Sequence, residues 1–239
     1  MNHLTPYIMS GKKYTEAKAL ITKEAYIIDE AIELLKKTST TKFDSSCEVH
    51  FRLGVDPKQA DQNIRTTAAL PHGTGKDVTV VAFVGEENVK EALEAGAAVA
   101  GTAELVKKIE GGWLDFDVAI ASPDQMKDLA KVAKTLGQKR LMPSPKAGTV
   151  TPEFVKVIGE LKKGKIELRV DKFGNLHNLF GKVSFDESKL KENLKSIIKT
   201  VLEVKPSSSK GTYVRSLTLT TTMGPGIPLD ANAAIAECK

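Results

Sequence analysis

The sequence is poor in the residues that build metal, redox or membrane chemistry. It has two cysteines in 239 residues, Cys47 and Cys238. They allow at most one disulfide and no paired-thiol metal spacing, so a reducing compartment is the default. The four histidines, His3, His50, His72 and His177, are scattered and form no HExxH pattern, so no metal centre is expected. Aromatic residues make up 5% of the chain, too few for an extended base-stacking platform. No stretch approaches the roughly 18 consecutive apolar residues of a membrane helix, so no membrane partner is expected. The start, Met1 to Tyr14, has no long apolar segment before its first lysines, which argues against a secretory signal. A removed organelle transit peptide would leave no trace.

Catalytic signatures are also missing. There is no GxSxG elbow, and the carboxylates fall mainly on helix faces, where a solvated surface explains them. His72-Gly73-Thr74-Gly75-Lys76 invites a phosphate-loop reading, because glycine-rich turns expose backbone N–H groups and lysine adds charge. The spacing defeats it: Leu70 stands where the loop needs glycine, and Asp77 where it needs a hydroxyl. A tight turn at the entrance to a middle unit is the better reading.

What is present is uneven. Residues 1–71 hold 10 Lys+Arg against 9 Asp+Glu, residues 72–161 hold 11 against 13, and residues 162–239 hold 14 against 8. An acidic middle between basic ends suggests an insertion with its own role. The middle alternates strands and helices: a valine-rich run from Val78 to Val84, a helix over Glu86–Ala95 stopped by Gly96, and a helix over Thr102–Glu110. A strand over Asp117–Ala121 follows, then a helix over Pro123–Leu136 opened by Ser122 as cap. That order implies a small parallel α/β unit.

The flanks differ. Glu24–Lys37 and Lys189–Val204 are amphipathic helices, the first with Ile27, Ile28, Ala31, Ile32, Leu34 and Leu35 at helical spacing. Strict alternation marks strands at Cys47–Leu53, Ile166–Val170 and Tyr213–Thr222. They are expected to form one antiparallel sheet with helices on one side and a hydroxyl-and-charge face on the other. On that face Ser216, Thr218, Thr220 and Thr222 suit phosphate oxygens and ribose hydroxyls. The Thr220–Gly226 segment ends a strand in a glycine turn that can approach RNA closely, and Lys42-Phe43 sets a cation beside an aromatic. Together these favour recognition of folded RNA through backbone and shape. His50 and His177 could serve as acid/base groups, but fit better as contacts on the polar face.

Several segments, in order, carry a resemblance that covers nearly the whole chain: Ala31 to Leu35 with Thr41-Lys42-Phe43; Leu53 to Pro57 running into Ala60 to Arg65; Leu70 to Lys76; Phe116 to Pro123; Leu141 to Pro152; and Thr220 to Gly226. In these the sequence resembles the ribosomal protein L-one family, proteins of the mobile stalk of the large ribosomal subunit. The resemblance implies an α/β chain with two domains. One is a discontinuous α+β RNA-binding domain, residues 1–71 plus 162–239, with an antiparallel sheet and helices on one face. The other is an inserted three-layer α/β domain, residues 72–161. It implies no enzyme and no cofactor. It also implies binding to the large-subunit rRNA stalk, help in releasing deacylated tRNA from the exit site, and repression through the protein's own mRNA. The setting would be the ribosome of a bacterial cytoplasm or of a plastid or mitochondrion. The family's RNA-contacting positions fall on Lys42, Phe43, Glu48, Ser216, Thr222, Met223 and Gly224, supported by Arg169, Asp171, Lys172 and His177. The sequence departs from the family pattern at Gly137 to Arg140, Ser144 and Val170, of which Val170 is expected on the packed side. The competing class is a small α/β enzyme with a nucleotide or sugar-phosphate site in the middle domain.

Overall fold

The structure is a computed structural model that describes residues 11–59 and 61–238. His3, most of the opening segment and Ala60 lie outside the described residues. In chain order the elements are α1 (Lys12–Ala19), α2 (Ile28–Lys37), β1 (Ser46–Leu53), β2 (Arg65–Ala69), β3 (Val80–Phe83), α3 (Val89–Glu94) and β4 (Val99–Ala100). There follow α4 (Ala103–Glu110), β5 (Val118–Ala121), α5 (Met126–Leu129), α6 (Ala133–Gln138), α7 (Phe154–Lys162), β6 (Lys165–Arg169) and β7 (Asn175–Lys182). The chain ends with α8 (Glu187–Glu203), β8 (Val214–Thr221), β9 (Ile227–Leu229) and α9 (Ala231–Cys238).

The chain divides into two compact units, Met1–Asn63 with Val170–Lys239, and Ile64–Arg169. The sequence reading put the crossings at 71/72 and 161/162. The residues in between belong to the inserted unit because β2 and β6 pair with each other as a separate antiparallel ladder, Arg65 opposite Arg169 and Ala69 opposite Lys165. The strand read at Ile166–Val170 therefore does not join the sheet of the first unit. At the inner end of this ladder Gly164 sits at φ 103°, and a Cβ there would collide with the Cα of Gly73. Only glycine allows that approach.

In the first unit an antiparallel sheet runs β7-β1-β8-β9. The inward residues of β1, Cys47, Val49, Phe51 and Leu53, are buried, and α2 and α8 cover that face with Ile28, Ala31, Ile32 and Leu35 and with Leu190, Leu194, Ile197, Ile198 and Val201. α2 starts at Ile28 rather than Glu24 because Tyr26 bridges Leu229 and its hydroxyl accepts from the Thr22 and Lys23 N–H groups. Ile27 is left 51% exposed. β7, which the sequence reading missed, closes the sheet beside β1 with a bulge at Phe180. The buried Asn193 of α8 donates to the Phe180 carbonyl at 2.9 Å, satisfying the backbone the bulge frees.

The inserted unit holds a parallel sheet, β4-β3-β5. Successive β3 residues feed opposite cores. Val81 and Phe83 pack with Leu105, Ile109, Leu129 and Leu136, while Val80 and Ala82 pack with Ala92, Phe154, Val157 and Ile158. Helices thus cover both faces, the three-layer arrangement expected of continuous apolar strands. The helix read over Pro123–Leu136 is broken into short 3-10 turns and α5 and α6, and Ser122 makes no side-chain cap. Despite the breaks, Leu129, Val132 and Leu136 keep the i, i+3, i+7 spacing of one helical face and all enter one core.

Candidate nucleic-acid interface

The uncovered face of the four-stranded sheet is set by strand register. Residues directly opposite one another in paired strands share a face, so β7, β1 and β8 build rows across it. One row is Asn175, Arg52 and Ser216; the next His177, His50 and Thr218; then Leu179, Glu48 and Thr220. Ser46 and Lys182 end the grid, and the Thr222 N–H donates to the Ser46 carbonyl at 3.0 Å. The face is polar apart from Leu179 and, opposite Thr218 on β9, Pro228.

The grid's middle row holds the two histidines together. Their Nδ1 atoms lie 2.8 Å apart and the rings meet edge to face, 4.9 Å between centroids. Glu48 Oε2 lies 3.8 Å from His50 Nε2, and Asp171 Oδ2 lies 3.8 Å from His177 Nε2. Burial, and then the neighbouring His177, push the His50 pKa below its ordinary value, against the pull of Glu48. For Asp171, burial opposes ionisation, but hydrogen bonds from the Asn175 and Phe173 N–H groups outweigh it and hold the carboxyl below the usual range. The result is an acid–histidine–histidine–acid line across the face, with acceptors at both ends suited to hydroxyl donors.

At the Thr222 end of the sheet the chain turns sharply. Met223 sits at φ 67°, in the left-handed region, with its side chain 74% exposed. That conformation costs a non-glycine residue on the order of 1 kcal/mol, and such strain gathers at functional sites. Gly224 closes the turn by donating to the Thr221 carbonyl at 2.8 Å, and a Cβ on it would collide with Thr221 Oγ1. Thr222 is pinned from behind, its Oγ1 accepting from the Ser46 N–H at 3.1 Å. Lys42 and Phe43 lie in the loop leading into this same end of β1, both exposed, Phe43 by 59%.

Of the residues singled out by sequence, Glu48, His177 and Ser216 lie on the grid, and Lys42, Phe43, Thr222, Met223 and Gly224 at one end of it. Asp171 and Lys172 sit in the turn before β7 at the other end. Arg169 is exposed at the end of β6, in the inserted unit, and is not part of the grid. Val170 is buried and bridges Leu176, as its place in the pattern required. The sequence reading missed Asn175 and Lys182, because β7 itself was missed, and passed over Arg52.

Elsewhere the chemistry is closed off. Burial pushes the Cys47 thiol up to about 12, which leaves it protonated and unreactive. Lys76 of the glycine-rich turn holds Asp117 at 2.5 Å, so its charge is already paired. Among the described residues no cluster of His, Cys, Asp or Glu could hold a metal, and no helix is long and apolar enough to cross a membrane.

The family model described as Ribosomal protein L1p/L10e family matches residues 35–225. The chain belongs to that family, whose members are RNA-binding proteins of the large ribosomal subunit and not enzymes. The enzyme alternative falls with that assignment.

Proposed function

We propose that this member of the L-one family of ribosomal proteins grips the rRNA of the mobile stalk through the uncovered sheet face of its first unit and the Thr222–Gly224 turn. The observation that carries the reading is the strained, exposed Met223 at the end of a polar grid that no helix among the described residues of its own unit covers. Lys42, Arg52, Lys172 and Lys182 supply charge for phosphates, while Glu48 and Asp171 accept ribose 2′-hydroxyls, a pairing DNA cannot offer. Movement of the stalk then assists release of deacylated tRNA from the exit site. The same face, meeting a similar fold in the protein's own mRNA, represses its translation. Arg169 acts as a supporting contact from the inserted unit.

The test is binding to the folded stalk fragment of large-subunit rRNA across a salt series, with an RNA duplex of equal length as control. Met223→Ala should weaken stalk binding by about 1–3 kcal/mol. Thr222→Ala should cost a similar amount and Thr222→Ser much less, since serine keeps the hydroxyl that holds Ser46. Lys107→Ala, on the exposed side of α4, should change little. Equal, weak, strongly salt-dependent binding to stalk and duplex would sink the reading. Addition of the protein to translation of its own transcript tests repression, and tRNA release from ribosomes depleted of it tests the exit-site role.

A further inference from the structure

Among the described residues the three most exposed large apolar side chains are Phe173 at 81%, Met223 at 74% and Phe43 at 59%. Two of them stand at the Thr222 end of the polar face. Phe173 stands at the opposite end, in the turn from Asp171 to Asn175 that leads into β7. This turn is rigidly built. Asp171 Oδ1 accepts from the Phe173 N–H at 2.8 Å and from the Asn175 N–H at 2.7 Å, and the Gly174 carbonyl accepts from the Leu53 N–H at 2.8 Å. Gly174 takes φ 81°, the positive value the turn requires. The same Asp171 carboxylate faces His177 on the grid, so the turn is fixed to the face it borders.

We propose that Phe173 is an RNA-stacking residue, taking the face of one unpaired base of the RNA that lies across the grid. This rests on the reading of that face as the RNA surface. A large aromatic held out in water by a locked turn loses little conformational entropy on binding and presents a flat apolar surface to any base. The neighbouring Lys172, also exposed, draws the phosphate of the same nucleotide. Phe43 at the other end of β1 offers a matching apolar surface, so the polar grid is bracketed by aromatics: hydroxyl and phosphate contacts in the middle, base contacts at the ends.

The experiment uses the full chain and the folded stalk fragment of large-subunit rRNA. Phe173→Ala should bind about tenfold more weakly, the size of one lost base–aromatic stack, and by the same factor at every salt concentration. Lys172→Ala should instead flatten the salt dependence by about one counterion. Phe173→Trp, made in a Trp113→Phe background so that it is the only indole, should restore affinity and lose fluorescence as the base covers it. If Phe173→Leu binds as well as wild type, the contact is not stacking and the proposal fails. If Phe173→Ala keeps full affinity while Met223→Ala loses it, Phe173 has no role although the face is correctly assigned. If neither variant loses affinity, the face itself is misassigned and the proposal goes with it. Unchanged thermal melting of each variant shows that folding is not what is being read.

Discussion

The two larger of the three sheets, β7-β1-β8-β9 and β4-β3-β5, handle their faces in opposite ways. β3 of the inserted unit buries Val80, Val81, Ala82 and Phe83 completely, because helices lie on both sides. β1 of the first unit buries only every second residue and leaves Glu48, His50 and Arg52 outside. A doubly covered sheet has no face to offer a macromolecule, so contacts from that unit must come from its loops, its helices or the separate β2–β6 ladder that ends at Arg169. A singly covered sheet presents an array whose spacing is fixed by backbone pairing, which suits a rigid ligand such as folded RNA. The difference also explains the two sequence signatures, a continuous valine run in one case and alternation in the other.

The largest expected effects test that contrast directly. Val80→Asp and Val81→Asp, adjacent and on opposite faces of β3, should each cost more than about 3 kcal/mol, since either carboxylate would be buried without a partner. In β1 the neighbouring pair should split. Phe51→Ala, in the packed core, should cost about 3–5 kcal/mol, and Arg52→Ala no more than about 0.5 kcal/mol. Trp113, the only tryptophan, packs near Phe116 in the inserted unit, with ring centroids 5.4 Å apart, and its fluorescence follows that unit during thermal unfolding. A tolerated aspartate at either β3 position would mean that one side of the sheet is open after all.

A smaller effect comes from the open face alone. His50 has a pKa below its ordinary 6.5 in the folded protein, so the unfolded chain binds the proton more readily. The sign follows: stability is full above about pH 7, and falls as the pH drops below the unfolded value towards the folded one. The fall should precede the losses at lower pH from Asp117, Asp171, Glu160 and Glu237, whose carboxyls are held below their usual range. His50→Gln, which cannot take up the proton, should shrink the loss between about pH 7 and pH 5. An unchanged profile in that variant would show that His50 does not set this part of the pH dependence.

Much of this was legible from residue order, and the exceptions have physical causes. α2, β1, α8 and β8 announce themselves because each has one wet and one dry side at a fixed period. β7 does not, because Asn178 falls on the packed face, Leu179 on the polar face, and the bulge at Phe180 shifts the period between Leu179 and Gly181. β6 alternates clearly, but alternation is local and says nothing about its partner, so its pairing with β2 was invisible. The polar face and the Thr222–Gly224 turn could be read from hydroxyl spacing and glycine. The pairing of His50 with His177, 127 positions apart, could not. Nor could the exposure of Phe173, since an isolated phenylalanine reads as core until its turn is seen.

The finest division lies within the hydroxyl row of β8. Thr220 is already committed: its Oγ1 lies 3.1 Å from the Gly224 carbonyl and 3.2 Å from that of Thr221, tying the strand to the turn that carries Met223. Thr218, two residues earlier on the same face and opposite His50, makes no such bond among the described residues. Thr220→Ala should therefore cost about 1 kcal/mol of stability. Thr218→Ala should change stability by less than about 0.5 kcal/mol, while removing a hydroxyl left over for a ligand. Paired measurements of thermal unfolding and stalk binding separate the two roles. If both variants lose stability equally, the face is a structural network and its open hydroxyls are not held in reserve. If Thr218→Ala weakens RNA binding at unchanged stability, the sheet has divided its threonines between building the site and forming it.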